Sequence, residues 1–163
     1  MQNDGIFDKH GARFVLHLLS HFHYVGSRSV LEETEPDLVK NSDLDFMISE
    51  SKFEEERAWV IANGFYLNKI ETHYMDDHTV AVWQYTPKYN KEDMRVTSID
   101  DRSEQIQIVV KRDESYDKLK VMWATFRANP SLFRDYFWKS NPKAPLDSEI
   151  VKSRVNHFIA MLG

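Results

Sequence analysis

The chain contains no cysteine in its 163 residues. That excludes disulfides, thiolate metal sites and a cysteine nucleophile, and it fits a reducing compartment. Long apolar runs are also missing. Nothing approaches the roughly 18 uninterrupted apolar residues that read as a membrane span. The opening stretch "MQNDGIFDKHGARF" has no charged-then-apolar signal pattern. These absences predict a soluble, cytoplasmic protein with no membrane partner. An excess of positive charge is lacking too. The formal net charge of −5 excludes a broad electrostatic footprint for nucleic acid or acidic lipid and leaves room only for a local basic patch. No repeat and no low-complexity tract interrupts the chain. Aromatics, by contrast, are plentiful: four Trp, seven Tyr and ten Phe, in a chain that is 42% hydrophobic. A packed core is therefore expected, and the length predicts a single domain spanning 1–163.

Hydrophobic periodicity orders the elements. In "DKHGARFVLHLLSHF", Phe14, Leu18 and Phe22 recur at helical spacing, joined by Val15 and Leu19, which predicts an amphipathic first helix. "HYVGSRS" reads as a short strand that breaks at Gly26. A glycine there permits a tight turn and a close backbone approach to a ligand. "SVLEETEPDLVKN" is polar and interrupted by Pro36, so a helical turn plus loop is expected. "SDLDFMI" alternates like a half-buried strand. "SESKFEEERAWVIANGF" is the clearest helix, with Ser49 or Ser51 as cap, Phe53, Arg57, Val60 and Ile61 on a mixed face, and Asn63-Gly64 as its stop. "FYLNKIETHYM" and "TVAVWQYT" read as strands around a "DDH" turn. "NKEDMRVTSIDDRSE" is a loop or weak strand, and "QIQIVVKR" is a strand rich in β-branched residues. From Ser115 onward the pattern is helical, punctuated at Pro130, Pro142 and Pro145. The fold class is α+β: a mixed β-sheet with flanking helices, a core over about 12–113 and a helical C-terminal part over about 115–163.

Two aspartates stand inside the apolar strand "SDLDFMI". Residues i and i+2 of a strand share a face, so Asp43 and Asp45 project side by side, with Cα atoms roughly 6.5 Å apart at about 3.3 Å per residue. Leu44 and Phe46 point the other way, into a core. Two neighbouring anions repel, and burial raises the cost. A hard divalent cation resolves the conflict, because Mg²⁺ takes one or two carboxylates and leaves its other positions to water and phosphate oxygens. Such ions can clamp the oxygens of an in-line phosphoryl displacement.

With Gly26-Ser27 upstream, "GSRS … SDLDF" resembles the signature of the nucleotidyltransferase superfamily, the fold also known from DNA polymerase beta. The likeness covers Tyr24 to Phe46 at motif level and Phe14 to Arg112 in element order. It implies a nucleotidyltransferase-like fold and Mg²⁺- or Mn²⁺-dependent transfer of a nucleoside monophosphate from a nucleoside triphosphate to an acceptor. The acceptor is left open among a small molecule, a protein side chain and a nucleic acid end. By position, Gly26 and Ser27 would hold the triphosphate, and Asp43 and Asp45 the metal. A glycine turn opening toward a helix gathers N–H donors that favour phosphate. Arg28 could add a charge-assisted contact, or it is a solvated loop arginine.

The superfamily usually carries a third carboxylate on a later strand. The matching strand "QIQIVV" puts Gln105, Gln107 and Val109 on one face, and the matching position is Gln107, an amide. An amide oxygen accepts hydrogen bonds or ligates weakly, but it is no general base near neutral pH. Asp100, Asp101, Glu104 or Asp113 would substitute in another register. A second expectation follows from Gln107: a catalytically impaired module of the same fold that binds nucleotide or a protein partner.

Other features have plainer readings. His10, His17, His21 and His23 cluster near the first helix, and His17 and His21, at i and i+4, share a face. No H-E-x-x-H pattern accompanies them, so exposed or capping roles are expected in preference to a zinc site. His73 and His78 bracket the "MDD" turn and carry little information. The run "WATFRANPSLFRDYFWK" interleaves Trp123, Phe126, Phe133, Phe137 and Trp138 with Arg127, Arg134 and Lys139. It reads as a core face with snorkelling cations, in preference to a base-stacking platform; an oligomer interface is the other reading.

Overall fold

The computed structural model describes residues 9–39, 42–63, 65, 67–72, 75–85, 89–90, 95–96, 106–139, 144–145 and 147–162. The element order is α1 (Lys9–His21), β1 (His23–Val25), α2 (Gly26–Leu31), α3 (Pro36–Val39), β2 (Leu44–Ser49), α4 (Glu50–Ala62), β3 (Asn68–Ile70) and β4 (Thr79–Tyr85). Next come β5 (Tyr89–Asn90), β6 (Arg95–Val96), β7 (Ile106–Lys111), α5 (Asp113–Ala128), α6 (Pro130–Phe137), β8 (Trp138–Lys139), β9 (Ala144–Pro145) and α7 (Ser148–Met161). The fold is α+β, as the periodicity predicts. Its centre is a five-stranded mixed sheet in the order β1-β2-β7-β4-β3. Only β2 and β7 run parallel; the other neighbours are antiparallel. β5 pairs with β6, and β8 with β9, in separate two-stranded ribbons.

The period-2 pattern of the central strands sorts their side chains into two cores. Leu44, Phe46 and Ile48 of β2 and Ile106, Ile108 and Val110 of β7 join Phe14, Leu18, Phe53 and Val60 on one face, which α1 and α4 cover. Met47 of β2 joins Leu119, Met122, Phe126, Phe133 and Phe137 on the other face, which α5, α6 and α7 cover. Phe126 is fully buried, with the rings of Phe133 and Phe137 edge-on at 5.5 and 5.2 Å. This is the geometry in which aromatic quadrupoles attract. The aromatic run is thus a core face, and its two arginines are spent on the protein itself. Arg127 donates to the Tyr24 carbonyl at 2.6 Å, and Arg134 donates to the Glu35 carboxylate at 2.6 Å.

The parallel register places Ser49 opposite Lys111, so α4 and α5 start side by side before diverging to opposite faces. Each helix start is capped by the other's acid: Ser51 N–H donates to Asp113 Oδ1 at 3.1 Å, and Asp113 N–H donates to Glu50 Oε2 at 3.2 Å. Helix N-termini leave orphan N–H donors that carboxylates satisfy well. Ser49 occupies the cap position of α4, but its side chain makes no capping bond.

Several local expectations give way. Leu19 is 53% and Ile61 62% exposed; both lie beyond the stripe that the sheet covers. Pro36 begins a second short helix, α3, where a loop was expected, because a first-turn proline gives up an N–H that has no helical partner anyway. The helical tail is broken at Trp138, which enters β8. Asp43 stands one residue ahead of β2. Asp100, Asp101, Glu104, Gln105, His73, Pro142 and most of "NKEDMRVTSIDDRSE" lie outside the described residues. Among the described residues, no helix is long and apolar enough to cross a membrane.

Candidate functional site

The α5–α7 side of the sheet is not fully sealed. A cleft of about 600 Å³ opens there, with Gly26, Ser27, Asp43, Asp45 and Gln107 in its lining. That volume falls within the range of about 300–1,000 Å³ usual for small-molecule sites. Strand alternation puts Asp43, Asp45 and Met47 on this face and Leu44, Phe46 and Ile48 on the other. Asp45 sits level with Val25 on one side and with Gln107 on the other.

β1 delivers the chain onto this pair. It ends at Val25, and Gly26 takes a φ of +87° as the first residue of α2. The conformation suits glycine, but the space is the harder constraint. A Cβ on Gly26 would stand 2.4 Å from Asp45 Oδ2 and 2.9 Å from Asp45 Cβ. The Gly-Ser turn therefore lies in direct contact with the Asp45 carboxylate, and only a residue without a side chain fits between. Ser29 Oγ donates to the Gly26 carbonyl at 2.7 Å and braces the turn from inside. Gly26→Ala is expected to lower stability by roughly 2–5 kcal/mol, the sum of left-handed strain and overpacking. Chemical denaturation measures it; an unchanged midpoint would contradict this contact.

Electrostatics single out Asp45. Burial pushes its carboxyl well above the usual range, and the Asp43 charge adds to the rise, while the Arg28 guanidinium opposes it. Arg28 itself bridges two segments. Its Nη1 donates to the Ser42 carbonyl at 3.2 Å and its Nε lies 3.9 Å from Glu32 Oε2. It ties α2 to the residue that precedes Asp43, and so it positions the pair from behind. Arg28 is not among the residues that line the cleft.

Beside Asp45, the sheet presents a row of amides. Gln107 pairs in register with Gln84 of β4, and Gln84 with Asn68 of β3. Gln107 Nε2 donates to Gln84 Oε1 at 3.5 Å. Gln107 is partly exposed, and Gln84 also lines the cleft. The next row, Met47, Val109, Val82 and Ile70, is apolar, and Trp123 faces it from α5. At the far end Lys111 Nζ donates to Thr79 Oγ1 at 2.8 Å and pairs with Asp76 Oδ2 at 3.3 Å. Burial lowers the Lys111 ammonium, and Asp76 opposes that shift. Asp113 belongs to the helix cap at the β7 end of the sheet and not to the cleft.

The structure thus brings Gly26, Ser27, Asp43, Asp45 and Gln107 to one cleft and leaves Arg28 behind it. Sequence reasoning missed Gln84, Asp76 and Lys111. The parity of "QIQIVVK" does put Lys111 on the face of Gln107 and Val109, so a buried lysine was legible there. Comparison of the chain with family models, with curated proteins and with solved structures finds no match.

Proposed function

We propose that this cleft binds a nucleoside triphosphate with Mg²⁺ or Mn²⁺ and transfers its nucleoside monophosphate to an acceptor hydroxyl, releasing pyrophosphate. The observation that carries the reading is the contact between the bare Gly26 backbone and the Asp45 carboxylate. A phosphate held on the turn and a cation held by the aspartates would then lie within bonding reach of each other.

The donor set fits such a cation. Two carboxylates on one face, one of them held above its usual range by burial and by the other, gain most from a hard divalent ion. A cation there would neutralise charge on the phosphoryl oxygens. The chain's own residues do the rest. Ser27 offers a hydroxyl and backbone N–H to the phosphates. Arg28 holds the Ser42–Asp43 segment in place. The apolar row with Trp123 takes the base, since aromatic faces stack bases without reading their identity. Gln107 occupies the third position, beside the metal pair.

A second reading has its own support. Gln107 is an amide engaged with another amide, so no carboxylate completes the pair on β7. A module that binds nucleotide or a protein partner without turnover needs none. Incubation with labelled nucleoside triphosphates, Mg²⁺ or Mn²⁺ and cell extract separates the two. The transferase reading predicts a labelled acceptor, and the binding-module reading predicts a thermal shift without label transfer. Absence of both label transfer and a thermal shift would sink the transferase and the nucleotide-binding readings and leave only a module for a protein partner.

A further inference from the structure

We propose that His17, His21 and Glu56 form a separate transition-metal site, suited to Zn²⁺, that pins α1 to α4 on the sheet face away from the cleft. The three residues offer ligand atoms that all lie within 4.8 Å of one another. They come from two elements that nothing in the local sequence links. His17 and His21 occupy successive turns of α1, and Glu56 reaches them from α4, 39 residues beyond His17.

The geometry is close to what a tetrahedral ion requires. Ligand bonds of about 2.0–2.2 Å imply ligand–ligand edges of roughly 3.3 Å. Glu56 divides its two oxygens between the imidazoles. Oε1 lies 2.7 Å from His17 Nε2, and Oε2 lies 3.6 Å from His21 Nδ1. Both separations, each to a different oxygen of the one carboxylate, lie within about 0.6 Å of such an edge. The two imidazole ligand atoms lie within 4.8 Å of each other, and His21, whose side chain is half exposed, has room to turn toward such an edge.

His17 is already fixed for the task. Its ring stacks on Trp59 at 3.5 Å with 2° between the planes. Nε2 is left aimed at Glu56. A ligand that is immobile before binding loses little freedom on binding, which raises affinity. The open side of His21 leaves room for water as a fourth ligand, as in zinc sites with three protein ligands.

The donors set the chemical class of the ion. Two imidazoles and one carboxylate favour Zn²⁺, Co²⁺, Ni²⁺ or Cu²⁺ over Mg²⁺, which prefers an all-oxygen shell. This site is therefore chemically distinct from Asp43 and Asp45. A plain His17–Glu56 hydrogen bond that takes up no metal would give no response to these ions.

The test uses the full chain, stripped with a chelator and titrated with ZnCl₂ by calorimetry in excess Mg²⁺. One equivalent should bind and raise the melting temperature, because a ligand of the native state stabilises it. Co²⁺ should give the intense visible absorption of a four-coordinate ion. His21→Asn, at a half-exposed position, and Glu56→Gln, which keeps a hydrogen-bonding group beside His17, should each weaken Zn²⁺ binding by at least about tenfold, since even outer-shell changes cost about 10–100-fold. Asp43→Asn with Asp45→Asn should bind Zn²⁺ as the wild type does. Wild-type affinity in His21→Asn and Glu56→Gln would overturn the proposal. So would loss of Zn²⁺ binding in the aspartate double variant, which would put the ion in the cleft.

Discussion

Asp43→Asn combined with Asp45→Asn is expected to abolish the melting-temperature rise that Mg²⁺ and a nucleoside triphosphate produce, and to cut nucleotidyl transfer by about 10³-fold or more. The size follows from charge stabilisation worth several kcal/mol at a metal-assisted phosphoryl centre, at about 1.36 kcal/mol per tenfold in rate. The fold should survive, because the apolar residues of β2 face the other core or the α5 side regardless of the two amides. Without metal, Asp45→Asn alone should be more stable than the wild type at neutral pH. Burial raises the Asp45 carboxyl in the folded state above its unfolded value of about 3.9. The folded chain therefore binds this proton more tightly than the unfolded chain does, and stability falls as pH rises through the folded value. Asparagine has no proton to lose. Its advantage in chelator should be largest near neutral pH and should vanish below about pH 4. Equal melting temperatures across that whole range would show that the Asp45 carboxylate bears no burial cost.

Gln107→Glu is the second substitution with a large expected effect. Gln107 is partly exposed to the cleft and in register with Asp45. A carboxylate at this position would add a metal ligand and a general base beside the aspartates. General-base catalysis is typically worth about 10²–10⁴-fold, so transfer should appear or rise by that order in a label-transfer assay. The neighbouring Gln84 amide can turn its NH₂ toward the new acid, so little stability should be lost. A fall in activity below the wild-type level would mean that Gln107 touches substrate as an amide. Unchanged metal binding, melting temperature and activity would remove Gln107 from the site.

Much of this cleft was legible in the sequence because strand alternation is local. "SDLDFMI" and "QIQIVV" each fix, within a few residues, which side chains share a face, and both assignments hold for the described residues, which exclude Gln105. The glycine requirement at Gly26 was legible as a turn. Its cause was not, since the atom it must avoid belongs to Asp45 on a neighbouring strand. The same limit applies to the Gln107–Gln84 contact and to the Lys111–Asp76 pair. Each depends on strand order, and strand order is decided by long-range packing. Arg28 shows the opposite case. Its place beside the motif suggests a phosphate contact, yet the fold gives it the Ser42 carbonyl and Glu32. Helical periodicity is a weaker guide at the margin of an apolar stripe. Leu19 and Ile61 fit the apolar pattern but lie past the edge of what the sheet covers. His17 and His21 were correctly placed on one helix face, while Glu56 and Trp59, which give that face its geometry, arrive from another helix.

The most direct measurement is amide-resolved NMR of the chain during titration with Mn²⁺ in the presence of a nucleoside triphosphate. Mn²⁺ prefers oxygen ligands and broadens signals near it. The amides of Gly26, Ser27, Asp43, Asp45 and Gln107 should broaden first and together, and Asp43→Asn with Asp45→Asn should remove the effect. Broadening centred elsewhere, or broadening that survives in the double variant, would contradict this assignment of the site.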